Sequence, residues 1–92
     1  MKDKMILSLL KTDLQISADA YDGYLSEMIS LAREAIADEG IAVDAKSDRD
    51  GMLVELYAAY LYRKRKGEKT DMPRMLRYML NNRLIRQKAG GR

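Results

Sequence analysis

The sequence predicts an all-α fold: a small four-helix domain with a long second helix and a buried third helix. Three observations point there. Apolar residues recur at three- and four-residue intervals over most of the chain, the period of one helix face. Gly40, Gly67 and Pro73 punctuate that pattern where helices stop or start. Apolar–polar alternation, the mark of a half-buried strand, is confined to residues 41–46, long enough only for an extended connector.

The first helix is expected over residues 4–14, with Met5, Ile6, Leu9 and Leu10 on a narrow apolar face that Leu14 continues. Ser17 has the chemistry of an N-cap for the second helix. Asp19 and Asp22 follow where carboxylates complement the helix dipole. That helix is expected over residues 18–39, burying Tyr21, Tyr24, Leu25, Met28, Ala32, Ala35 and Ile36, with Gly40 just past its end. Gly23 weakens it by about 1 kcal/mol relative to alanine without breaking it.

Residues 47–50, Ser-Asp-Arg-Asp, are a variant capping box with Asp in place of Glu or Gln, and they open the third helix. The chain is organised around that helix. Ten of the eleven residues 52–62 are apolar or aromatic, and Glu55 is the exception. Leu53, Leu56, Tyr57, Tyr60 and Leu61 share one face, and Met52, Val54, Ala58, Ala59 and Tyr62 cover most of the rest. A helix apolar nearly all round is covered on several sides, so Leu56 and Tyr60 are expected to be buried. The run is too short to span a bilayer, which takes about 20 apolar residues.

The third helix leaves the core as Arg63-Lys64-Arg65-Lys66-Gly67, and residues 68–71 read as a polar turn. Asp71 or Met72 should cap the fourth helix, with Pro73 in its first turn. Met72, Met75, Leu76, Met79, Leu80 and Leu84 make its expected apolar face; Arg74, Arg77, Asn81, Arg83, Arg86 and Lys88 lie mainly on the other. Residues 1–88 are expected to form one domain and residues 89–92 a disordered tail.

The chain has 92 residues and neither cysteine nor histidine. Disulfides, thiolate zinc sites, cysteine nucleophiles and histidine acid–base chemistry are therefore excluded. Residues 1–10 lack the apolar length and small-residue cleavage site of a signal peptide, and the expected state is soluble. The methionines suit adaptable core packing more than a binding groove.

Few constellations could carry chemistry. Asp44, Asp48, Asp50 and Gly51 suggest a calcium loop, but aligning Gly51 with the EF-hand glycine puts Lys46 and Tyr57 at essential ligand positions. Helix capping explains those acids better. Asp19, Asp22 and Glu27 are scattered carboxylates with nothing to hold two of them apart in pKa. The serines have no histidine to activate them, and there is no glycine-rich phosphate loop. The expectation is a protein that is not an enzyme, with no catalytic, cofactor or metal site.

Charge is the stronger signal. Residues 1–62 carry a net −6 and residues 63–92 a net +9, within a total of +3. Such a split marks an end that meets polyanions, or a head-to-tail contact between copies. Arg63, Lys64, Arg65, Lys66, Arg74, Arg77, Arg83 and Arg86 are the candidate residues for an interface or a DNA channel.

Two stretches together resemble the head-tail connector proteins of tailed phages, also called head completion or DNA packaging adaptor proteins. The first is Leu10-Lys11-Thr12-Asp13-Leu14-Gln15-Ile16-Ser17, then Asp19, Asp22 and the Leu-, Ile- and Ala-rich residues 25–36. The second is residues 53–65, whose Tyr62-Arg63-Lys64-Arg65 is similar to the family's Tyr-x-x-Arg. Gln15 replaces the usual basic residue, and the last helix is more basic than the family's. The resemblance implies a structural protein of a phage or prophage virion. Such proteins form homo-oligomeric rings, commonly dodecamers, below the portal protein. They join it to stopper and tail proteins and surround the channel for double-stranded DNA during DNA packaging and virion assembly. It also implies a place at the head-tail junction, the bacterial cytoplasm before assembly, no cofactor and no membrane. The alternative is a small helical DNA-binding or regulatory protein that uses its basic C-terminal third.

Overall fold

The computed structural model describes residues 1–67 and 71–90. In chain order they form α1 (Asp3–Leu14), a single 3₁₀ turn (Asp19–Tyr21), α2 (Asp22–Asp38), α3 (Asp48–Arg65) and α4 (Arg74–Lys88). The fold is all-α, and no strand occurs among the described residues. The molecule measures 41 × 28 × 18 Å. A thickness of 18 Å admits about two helix diameters, hence two layers.

α3 packs against all three other helices, whereas α4 packs chiefly on α3. One core results, filled by Ile6 and Leu10 of α1, Leu25, Met28, Ile29, Ala32 and Ile36 of α2, Leu53, Val54, Tyr57, Ala58 and Ala59 of α3, and Leu76 and Leu80 of α4. The buried arc of α3 is wide but displaced from the expected face. Leu56 and Tyr60 are half-buried and Met52 is 38% exposed, because they lie on the one arc the neighbours leave open.

Helix ends explain the remaining differences. α1 stops at Gln15, which adopts φ 58°, while Ile16 N–H donates to Lys11 O at 2.9 Å. Ser17 caps nothing. The first acids of the next helix are held by Lys11, whose Nζ reaches Asp19 Oδ1 at 2.9 Å and Asp22 Oδ1 at 2.8 Å. The chain accordingly makes a 3₁₀ turn before α2, and neither element has a side-chain cap. Tyr21 and Tyr24, expected in the core, are 48% and 37% exposed.

α2 ends as expected at Gly40, φ 92°. Gly40 N–H donates to Ala37 O and Ile41 N–H to Ile36 O, the paired closure of a Schellman motif, with Ile36 and Ile41 both buried. Pro73 sits one position earlier than expected, as the N-cap of α4, and its carbonyl accepts from Arg77 N–H at 3.1 Å. The expected polar turn lies outside the described residues except for Asp71. Of the expected tail, Ala89 and Gly90 close the last turn of α4, and residues 91–92 lie outside the described residues.

Candidate interaction surface

The most buried polar group is a clasp between the start of α3 and the middle of α4. Ser47 Oγ accepts from Asp50 N–H at 3.1 Å, so the first half of the capping box forms. The return half does not, because Asp50 is engaged elsewhere. Arg83 Nε donates to Asp50 Oδ1 at 2.8 Å and Arg83 Nη2 to Asp50 Oδ2 at 3.0 Å. Asp50 is 1% exposed and Arg83 3%.

The clasp also holds the connector before α3. Asp44 N–H donates to Asp50 Oδ2 at 2.8 Å, and Arg83 Nη2 donates to Ala42 O at 2.7 Å. Gln87 Oε1 accepts from Ala42 N–H at 2.8 Å, and Gln87 Nε2 donates to Gly40 O at 2.8 Å. Burial pushes the Asp50 carboxyl up, but the Arg83 hydrogen bonds, the Asp44 amide and the nearby Arg83 and Arg86 charges leave it below the usual range. Asp44, Asp48 and Asp50 form no metal-ligating cluster: among the described residues no group of three or more acidic side chains could hold an ion.

Arg83 is thus a correction. It was expected on an exposed basic face and is instead an internal strut. A signal was present in the sequence: Leu76, Leu80, Arg83 and Gln87 lie on one row of α4, and a charge on an apolar row requires a buried partner.

The other candidate cations divide. Arg77 forms a fork with Glu39, Nη1 to Oε1 at 2.7 Å and Nη2 to Oε2 at 3.0 Å. Arg63 Nη2 reaches Asp13 Oδ1 at 3.4 Å. Arg86 is half-buried beside Asp50. Lys64, Arg65 and Lys66 are exposed and lie over tyrosine rings, 5.9 Å from Tyr60, 5.8 Å from Tyr24 and 5.5 Å from Tyr62. Arg74 is exposed at the start of α4. The structure therefore brings no eight-membered basic site together. It leaves a cluster at the end of α3 and a separate group along α4.

Glu55 is the second buried polar group, 3% exposed. Its carboxyl faces Asp13 of α1, and Oε2 has no hydrogen-bond partner. Burial first, then the hydrogen bond and charge of Asp13, push its pKa up to about 8, against the opposing pull of Arg63. Glu55 is thus biased toward its protonated form, and Asp13 neighbours both Glu55 and the Arg63 guanidinium.

α4 presents a surface that sequence reasoning missed. Met75, expected in the core, is 69% exposed, and Tyr78 and Ile85 are 64% and 65% exposed. A shallow groove of about 270 Å³ runs beside Met75 and Tyr78, between α4 and the start of α3. Among the described residues no helix is long and apolar enough to cross a membrane.

These features define a small all-α domain, clamped inside by an ion pair and carrying cations and apolar side chains on its outer helix. No protein-family model, no curated protein and no solved structure matches the chain.

Proposed function

We propose that this chain is a structural head-tail connector subunit of a phage or prophage particle. It forms a ring below the portal, joins the portal to stopper and tail proteins, and encircles the DNA channel. One observation carries the reading. The two stretches that resemble the connector family meet where Arg63 of the second reaches Asp13 of the first; Tyr62 also packs edge-on against Tyr24, between Asp22 and Leu25, at 6.0 Å, and Arg65 lies over the same ring. The Tyr-x-x-Arg exit of α3 is therefore seated on the α1–α2 corner that bears the other half of the resemblance. The role is structural and asks for no catalytic residue.

The second reading is a DNA-binding or regulatory protein, and the exposed Lys64, Arg65 and Lys66 favour it. Negative-stain imaging and sedimentation velocity over a concentration series separate the two. A connector gives closed rings whose population grows with concentration and little affinity for free duplex DNA. Duplex binding by a monomer or dimer, falling steeply as salt rises, would replace the connector reading with the second.

A further inference from the structure

We propose that the outer face of α4 docks, head to tail, on the outer face of α2 of a second copy of this chain. The surface is read from the structure alone; taking a second copy as its occupant rests on the connector reading.

α4 packs on α3 and, through Arg77, Arg83 and Gln87, on Glu39 and the connector that follows α2, and the rest of its circumference faces outward. At the centre of that face stand Met75, Tyr78 and Ile85, each about two-thirds exposed. Arg74 and Lys88 flank them, exposed and without a partner among the described residues, and Arg74–Lys88 contains no acidic residue. Large apolar side chains ringed by cations suit a protein face bearing carboxylates. A phosphate backbone would use the cations and leave the methionine and isoleucine in water.

α2 carries the complementary face. Glu27, Glu34 and Asp38 are exposed and have no partner among the described residues. The one basic residue of α2, Arg33, is turned aside to Asp3 of α1. Beside the acids lie the small residues Gly23, Ser30 and Ala37, with Tyr24, 37% exposed, and the half-buried Leu31 along one edge of the face. Glu27 and Asp38, eleven residues apart, span about 16.5 Å of the helix axis, and Arg74 and Lys88, fourteen apart, about 21 Å. The long Arg74 and Lys88 side chains can therefore lean in to acids at both ends of the α2 row.

Charge also decides the symmetry. An α4–α4 contact would set Arg74 and Lys88 against their own copies, and an α2–α2 contact would do the same with Glu27 and Glu34. Only the heterologous pairing brings opposite charges together, and a heterologous contact propagates into a ring when its rotation closes.

The test uses two charge reversals, Arg74→Glu with Lys88→Glu on α4, and Glu27→Arg with Glu34→Arg on α2. Circular dichroism establishes that both fold, and sedimentation velocity reads assembly. Each variant alone should need at least about tenfold more protein than the parent for half-assembly. An equimolar mixture should assemble again, because each intact face meets its intact counterpart and the reversed α4, now acidic, meets the reversed α2, now basic. If the parent assembles and both variants assemble equally well, the contact is wrong and the connector reading survives. A parent that stays monomeric at every concentration overturns both. If neither reversal alters sedimentation while the α4 variant loses binding to a duplex DNA probe, α4 is a nucleic-acid surface and the proposal falls.

Discussion

Asp50 and Arg83 show how one residue pair can hold three segments. Two buried charges are costly to desolvate, and breaking such a pair costs more than the pair contributes, because the survivor stays buried and unpaired. Arg83→Met should therefore destabilise the protein by about 3–5 kcal/mol in chemical denaturation. Restoring much of that loss with Asp50→Leu in the same chain would separate the penalty of a stranded charge from the worth of the pair. Glu55 makes the opposite demand on pH. Its folded pKa is near 8, against 4.5 for an ordinary glutamate, so the folded state holds the extra proton between those values. Stability should fall as pH rises from about 5 to 8 and level off beyond. Asp50 is shifted downward, so its contribution is present above the ordinary aspartate range and is lost as pH falls. Glu55→Gln should flatten the neutral limb of the stability–pH curve and leave the acid limb in place. An unchanged neutral limb would mean that Glu55 is not the group responsible.

At the level of helices, the ends were less legible than the bodies. α1 terminates on Gln15 in the left-handed region, φ 58°, where a side chain is strained and glycine is not. Gln15→Gly should raise stability by up to about 1 kcal/mol, the relief of that strain less the entropy glycine brings to the unfolded chain. A thermal midpoint that drops would show that the Gln15 side chain contributes contacts worth more than the strain. α3 illustrates a different limit. A run apolar on nearly every face reveals that the helix is buried but not which arc is left open. Leu25, fully buried, should cost about 2–5 kcal/mol on truncation to alanine. Leu56→Ala should cost clearly less, because Leu56 is already half in water. Equal losses would place Leu56 in the core after all.

Across the whole molecule, charge is divided along the chain, with a net −6 before residue 63 and +9 after it. Folding neutralises part of that division: Arg83, Arg77 and Arg63 each find an acid from the first part of the chain. Lys64, Arg65 and Lys66 remain outward on their tyrosines. Replacing Arg63, Lys64, Arg65 and Lys66 together by glutamine should weaken assembly while preserving the helical circular-dichroism signal. The effect should emerge only from the combined change, since exposed pairs contribute about 0–1 kcal/mol each. A variant that assembles like its parent at the same salt would remove this cluster from the interface and leave α4 as the basic surface that matters.

The sequence by itself determined the helices, because their spacing, Gly40, Gly67 and the Ser47 cap are local signals that neighbours do not override. It also determined that α3 is the core helix, since no other segment could be covered on so many sides. It marked Glu55 as the exception in that helix, yet could not show Asp13 beside it. Only the tertiary structure decided which cations are free. A row of arginines reads as one basic face until packing turns Arg83 inward, joins Arg77 to Glu39 and leaves Arg74 in water. The same packing exposed Met75 and Ile85. Periodicity states that a helix has an apolar side; which side is covered depends on where the other helices lie, and that is a property of contacts distant in the chain.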